Sequence, residues 1–355
     1  MIHLVHVPAD PQHPDAWTVE GVVQVGEAVD RPIHGTDFSL DVPTVRATLQ
    51  EPHRKIHRLV AVPEGSTDPA DVVGCAMVGL PQVGNQHVAV VYVAVRPDRR
   101  RQGVGALLFD AGLQIARDAG RQVLQSDSAF AVEPPPGPGA LAARTGDGRI
   151  PRDDEATRFA LARGFTLEQV LRHSVLPVPV PAEVLDPLRR DPGPEYRVHL
   201  MHDGYDEEWL DELAVLKTRM STDVPHGALD LAEDVWDADR VRTRAADLRR
   251  RGLGILTAVV EHAPTGTLAA YSGVELPLDK PAVVFQGDTL VLREHRGHGL
   301  GMLAKIAVLD ALRDVRPGAA RIHTWNAQEN AHMLAINVAL GFRQASVEAA
   351  WQRAL

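Results

Sequence analysis

Arg296-Gly297-His298-Gly299-Leu300-Gly301 follows the apolar run Thr289-Leu290-Val291-Leu292 and leads directly into a segment with helical patterning. A glycine-rich turn between a strand and a helix start suits an anion, because the helix N-terminus exposes unpaired N–H groups and the positive end of its dipole. The stretch Arg99-Arg100-Arg101-Gln102-Gly103-Val104-Gly105, after Val91-Tyr92-Val93-Ala94-Val95, repeats the arrangement. One turn written twice in a chain points to a duplicated unit.

The flanking sequence extends the repeat. Apolar or alternating runs at Ile2 to Val7, Arg58 to Val62, Val72 to Leu80 and Val88 to Val95 read as strands ahead of the first turn. Tyr196 to Met201, Ile255 to Glu261, Thr267 to Leu276 and Ala282 to Leu292 read the same way ahead of the second. Helical patterns fall in the long gap after each first strand, clearest at Asp206 to Arg219 and Asp237 to Arg251. After each turn an apolar stripe recurs at helical spacing: Val104, Leu107, Leu108, Ala111 and Ile115, then Leu300, Leu303, Ala304, Ala307, Val308, Ala311 and Leu312. Each unit closes with a further helix ending in Gly-Phe, at Gly164-Phe165 and at Gly341-Phe342. The proline-rich stretch Ala131 to Gly148 lengthens the first unit as a loop insertion. The expected division is 1–175, a stiff proline-rich linker at 176–195, and 196–355.

Composition narrows the class. The 355 residues carry 45% hydrophobic and 24% charged content, which is ordinary globular material, and the length suits two domains. A net charge of -10 argues against nucleic acid as a partner. No apolar run reaches the length of a membrane span, so no membrane is expected and the location reads as cytoplasmic. Cys75, the single cysteine, lies in the apolar setting Val73-Gly74-Cys75-Ala76-Met77 and reads as an inert buried thiol. No metal is expected, and the chain reads as a monomer or homodimer.

Three phosphate cradles can be compared with the two turns. Neither has the G-x-G-x-x-G spacing of a dinucleotide fold, and neither has the lysine of a P-loop. Both fit R-x-x-G-x-G, through Arg100, Gly103 and Gly105 and through Arg296, Gly299 and Gly301. Here the chain resembles the GNAT acetyltransferase superfamily, whose pyrophosphate signature is [QR]-x-x-G-x-[GA] between the fourth strand and third helix. Asn330 and Leu340-Gly341-Phe342 match that family's tail spacing, with Asp153 at the Asn330 position in the first half. The resemblance covers nearly the whole chain and implies an α/β fold class. It takes the form of two tandem GNAT folds, each a mostly antiparallel mixed sheet flanked by helices and splayed after its fourth strand.

The resemblance implies acetyl-CoA as donor, its pyrophosphate on the backbone of Arg296, Gly297, His298, Gly299, Leu300 and Gly301. Pantetheine would run beside Leu290, Val291 and Leu292, facing Asn326 and Asn330. The tail tyrosine that protonates the leaving thiolate in many family members is replaced by Asn337, and by Ala160 in the first unit. Asparagine transfers no proton at neutral pH, so the usual acid is missing.

Acetylating an amine requires removal of its proton. Period-2 alternation puts Gln286, Asp288, Leu290 and Leu292 on one face, which makes Asp288 the first candidate base. His323, Glu329 and the Leu355 carboxylate are further contenders. The run from Ser221 to Asp237, with Asp223, Asp230, Glu233, Asp234 and Trp236, would suit a cationic amine. The first unit has no acidic residue on Val88 to Val95 and is expected to be structural or vestigial. The leading function is N-acetylation of a small-molecule amine. A catalytically lost CoA-binding protein and a peptide N-acetyltransferase remain as alternatives.

Overall fold

The computed structural model describes residues 1–355. In chain order the first half runs β1 (Ile2–His6), α1 (Thr18–His34), α2 (Val42–Thr48), β2 (Arg54–Pro63), β3 (Gly74–Pro81), β4 (Val88–Val95), α3 (Val104–Asp118), β5 (Val123–Phe130), β6 (Ala140–Ala142), β7 (Arg149–Pro151), α4 (Glu155–Ala162) and β8 (Thr166–Pro177). The second runs α5 (Ala182–Leu185), β9 (Tyr196–His202), α6 (Leu210–Asp223), α7 (Ala238–Arg250), β10 (Leu253–His262), β11 (Thr267–Pro277), β12 (Val283–Val291), α8 (Leu300–Val315), β13 (Arg321–Ala327), α9 (Ala331–Leu340) and β14 (Arg343–Ala354). The fold class is the expected mixed α/β one, with antiparallel meanders and one parallel pair per unit.

The chain forms two compact units that trade segments. One comprises Met1–Val170, Gly227–Leu231 and Ser346–Leu355; the other comprises Leu171–His226 and Ala232–Ala345. In the N-terminal unit β5 pairs antiparallel with Val347 to Ala354 of β14. In the C-terminal unit β13 pairs antiparallel with Leu171 to Pro177 of β8. Each sheet is therefore closed by a strand from the other half of the sequence. Simple cuts at 175 and 196 place both closing strands with the wrong sheet.

The expected linker is also largely built in. Leu176 and Pro177 end β8, the Val178 N–H donates to the Ala320 carbonyl, and Val180 and Leu185 are buried in the C-terminal core. Their apolar side chains each gain roughly 1.5–3 kcal/mol from that burial, which outweighs the stiffness of the proline run. The insertion at 131–148 likewise carries order, since β6 pairs with β7 at its end.

Both units sandwich their sheet between helices. In the C-terminal unit, Leu256, Val260, Val274 and Val284 pack against Leu300, Ala304, Val308 and Leu312 of α8. On the opposite face, Met201, Val259, Tyr271 and Leu290 pack against Leu213, Leu216 and Val241 of α6 and α7. Cys75 is buried in the α1-side core, and burial pushes its thiol up to about 11, as expected of an inert cysteine.

Lys305 is the exception in the α8 packing. It is 3% exposed, makes no ion pair, and holds its Nζ 5.8 Å from the centre of the Phe342 ring. Aligning the two turns places Phe109 at the same point of α3, against Phe165. Burial lowers the Lys305 pKa from 10.5 to about 7. The folded state thus binds this proton less readily than the unfolded chain. Stability should be lowest below pH 7, where the buried amine is charged, and rise with pH towards the ordinary lysine range. Lys305→Met is expected to stabilise the chain by about 3 kcal/mol at pH 6 and to flatten that rise. Urea melts at pH 6 and pH 9.5 check both; equal stabilisation at the two pH values would contradict the assignment.

Candidate active site

The two turns coincide in detail. Gly103 and Gly299 are the residues before α3 and α8, with φ of 83° and 73°, in the left-handed region that favours glycine. Arg101 at φ 61° stands where Gly297 has φ 89°. Arg100 Nε donates to the Val95 carbonyl and Arg296 Nε to the Val291 carbonyl, each at 3.3 Å. A Cβ at Gly103 or Gly299 would meet no atom within 4 Å, so open space lies beyond each glycine. Leu303 N–H donates to the Gly299 carbonyl, so the N–H groups of Leu300, Gly301 and Met302 start the helix without a helical acceptor.

The arginine side chains serve the turn itself. Arg296 and Arg293 each reach Asp223 at 3.0 Å, and Asp223 is 5% exposed at its side chain. Arg100 correspondingly lies 3.5 Å from Glu155. That leaves the backbone N–H groups as the uncommitted donors of the turn, with Arg296 holding their loop in shape. His298 is exposed, its ring 5.4 Å from that of Tyr196.

Beside each turn the sheet opens. β12 and β13 pair in parallel only at Val283 to Phe285 with Arg321 to His323. From Gln286 to Val291 the edge of β12 towards β13 has no strand partner, including the backbone of Leu290 and Val291. β4 and β5 part in the same way after Val90 and Gln125. This is the expected splay after the fourth strand.

Asp288 sits in that splay, at a bulge. Ser272 pairs with Thr289 and Val274 with Gln286, so β12 carries one extra residue around Gly287 and Asp288. The bulge corrects the alternation read from sequence. Gln286 turns to the α8 face, where its Nε2 donates to Ser272 Oγ and the Gly273 carbonyl, while Asp288 shares the α6 face with Leu290 and Leu292. Asp288 Oδ2 accepts from Tyr271 Oη at 3.0 Å and lies 4.0 Å from Lys217 Nζ; its Oδ1 makes no hydrogen bond. Burial, then the Asp288 charge, hold the Tyr271 phenol well above its usual range.

The sequence pattern missed Lys217 and its surroundings. Its Nζ lies 5.3 Å from the Trp236 and Tyr271 ring centres and 5.7 Å from that of Tyr205, an aromatic enclosure around an ammonium. Part of the acidic run expected to receive a cation already has partners. Asp223 pairs with Arg293 and Arg296, Asp234 pairs with Arg240, and Asp237 caps α7. Asp230 belongs to the N-terminal unit, 3.2 Å from His87.

The remaining candidates separate clearly. Asn330 Oδ1 caps α9 by accepting from Met333 N–H at 3.2 Å, and Asn326 Oδ1 accepts from Asn337 Nδ2 at 2.6 Å. In the N-terminal unit the cap is Asp154, not Asp153, because α4 starts one residue later relative to its Gly-Phe end. His323 is 3% exposed and stacked, with Nδ1 3.0 Å from His173 Nε2, so it is a packed member of the sheet. Glu329 lies half-buried in the turn between β13 and α9. Leu355 belongs to the N-terminal unit, where its N–H donates to the Gln122 carbonyl.

Residues 31–130 match the Acetyltransferase (GNAT) family. A tandem GNAT protein from the clavulanic acid biosynthesis pathway superposes with a TM-score of 0.77 at 24% identity, covering 100% of this chain and 98% of its own. The chain has the fold of a tandem GNAT protein and carries a GNAT family match over residues 31–130. The matched family is an acetyltransferase family. A GCN5-related N-acetyltransferase from Sphaerobacter thermophilus superposes with a TM-score of 0.62 at 12% identity, covering 99% of this chain and 95% of its own. A glucosamine N-acetyltransferase region of a fungal multi-domain β-N-acetylglucosaminidase gives a TM-score of 0.60 at 14% identity, with coverage of 99% and 38%. No curated protein matches the sequence significantly. No helix is long and apolar enough to cross a membrane.

Proposed function

We propose that this tandem GNAT protein uses acetyl-CoA to acetylate the primary amine of a small molecule by direct attack on the thioester, with the C-terminal unit as a site of reaction. One observation carries the reading: the unpaired edge of β12 runs straight into the left-handed glycine turn. An amide-bearing arm ending in a diphosphate would fit that sequence of donors and acceptors. The residues suit such a ligand in a second way. Asn337 is 2% exposed and its Oδ1 has no partner, an acceptor that a ligand N–H would satisfy.

Leu300, Gly301 and Met302 would hold the diphosphate through their N–H groups, with Gly297, His298 and Gly299 shaping the loop. Backbone from Leu290 to Leu292 would align the arm. The thioester supplies the activated acyl group; the protein's task is to position the amine and remove its proton. Asp288 would do that through Oδ1, with Tyr271 fixing the other oxygen. Lys217 Nζ lies 4.0 Å from that same fixed oxygen. The thiolate then leaves without a side-chain acid and is protonated by water. The glucosamine and GCN5-related acetyltransferases among the structural neighbours are consistent with an amine acceptor.

The test is release of free thiol from acetyl-CoA by the full chain across a panel of small primary amines. Amine-dependent thiol release supports the reading. Tight CoA binding with no turnover on any amine would overturn it in favour of a catalytically silent CoA-binding protein.

A further inference from the structure

The inward stripe of α6 runs through the buried residues Leu210, Leu213 and Ala214, and its next position, one turn on from Leu213, holds a lysine, Lys217. That side chain is only 10% exposed. An apolar residue would continue the stripe without the cost of enclosing a charge. Part of that cost is met by the rings of Tyr205, Trp236 and Tyr271 around the ammonium. Rings attract the charge but offer its three N–H groups no oxygen.

No oxygen of the protein does so either. Asp288 Oδ2 stands 4.0 Å from Lys217 Nζ, beyond hydrogen-bond range, and already accepts from Tyr271 Oη. Among the neighbouring acids, Glu212 accepts from the Leu268 N–H, Asp223 binds Arg293 and Arg296, and Asp234 binds Arg240. Lys217 therefore makes no hydrogen bond. Beside it, Asp288 is 46% exposed at its side chain and its Oδ1 makes none. A donor and an acceptor of opposite charge stand together with their hydrogen bonds unmade.

We propose that Lys217 selects the acceptor by binding a carboxylate that the acceptor carries, which makes the substrate class a small amino acid rather than a simple alkylamine. The charges decide between these classes. A zwitterion places its ammonium at Asp288 and its carboxylate at Lys217, matching one negative and one positive group with charge-assisted bonds. A bare amine leaves Lys217 as it is, and a dianionic phosphate leaves a negative charge over. The 4.0 Å between the two side chains suits an amine and a carboxylate joined by a short carbon spacer. In the reaction the acceptor ammonium gives one proton to Asp288 and its nitrogen bonds to the acetyl carbon. The C–S bond breaks, nitrogen loses its second proton to water, and sulfur gains one from water. The carboxylate takes no part in that exchange. The transfer rests on the acetyltransferase reading above; recognition of the carboxylate does not.

The experiment measures acetyl transfer by the full chain to β-alanine and the common L-α-amino acids, each beside the amine that lacks its carboxylate. The phosphonate counterpart of β-alanine, 2-aminoethylphosphonate, is included. The same compounds are titrated by calorimetry with CoA bound, which needs no turnover. At least one amino acid is expected to exceed its bare amine about thirtyfold in kcat/KM, and Lys217→Met to bring that ratio within about threefold, chiefly through KM. Lys217→Arg should keep the preference. Lys55→Met, the same charge change at an exposed strand position of the N-terminal unit, should leave it unaltered. A lysine that merely holds Asp288 in place would affect both members of a pair alike, so an unchanged ratio in Lys217→Met overturns the proposal. So does a preference of the unaltered chain for bare amines or for the phosphonate, a comparison that needs no variant to fold. Lys217-dependent binding of amino acids without acetyl transfer upholds the assignment and overturns the acetyltransferase reading instead. Neither binding nor transfer with any compound overturns both.

Discussion

Gly299→Val is expected to weaken acetyl-CoA binding at the C-terminal turn by at least 100-fold, about 2.7 kcal/mol. Two causes add. The residue sits at φ 73°, where an L side chain is strained by roughly 1–2 kcal/mol and a β-branched one by more. Its Cβ would point into the empty space beyond the turn, where no protein atom lies within 4 Å and the diphosphate would approach. Relief of strain would also move the N–H groups of Leu300, Gly301 and Met302 out of line. Gly301 differs: its Cβ would meet Val291 Cγ2 at 3.5 Å and Ile336 Cδ1 at 3.8 Å, ordinary contact, so Gly301→Ala should fold well. Calorimetry with acetyl-CoA on Gly299→Val decides the matter, and an unchanged isotherm for the C-terminal site removes the turn from the binding account.

Asp288→Asn is expected to lower kcat about 100-fold at pH 7 in the C-terminal unit, the lower end of what a positioned base contributes. The loss should shrink as pH approaches the acceptor amine's own pKa, since a free amine no longer needs the carboxylate. Binding of acetyl-CoA should be unaffected, because Asp288 faces α6 and the diphosphate site lies at the start of α8. The pH profile of kcat separates a base from a packing residue. A uniform fall at every pH would assign Asp288 to holding Tyr271 and Lys217 in place.

Much of the fold was legible because duplication doubled the signal. The paired R-x-x-G-x-G turns, the strands before them and the helices after them stand where their patterns put them. What the sequence could not disclose was partner choice between strands. Nothing in Val347 to Ala354 or Leu171 to Pro177 says which sheet each strand will close, because edge pairing depends on backbone and on apolar faces that either sheet offers. The bulge at Asp288 was hidden for a related reason. A single extra residue reverses which side chains share a face, and only its glycine neighbour hints at it.

The sites divide along the same line. Glycine turns announce themselves locally, whereas the enclosure of Lys217 depends on elements far apart in sequence. In the acidic run before α7, the pairing of Asp223 and Asp234 with arginines was likewise not legible.

Acyl-CoA binding in the splay beside the C-terminal glycine turn is tested most directly by a crystal structure grown with acetyl-CoA. The account predicts diphosphate on the N–H groups of Leu300, Gly301 and Met302, with the arm along the open edge of β12 and the thioester beside Asp288. A ligand bound away from both turns, or an arm that leaves the splay empty, would contradict it.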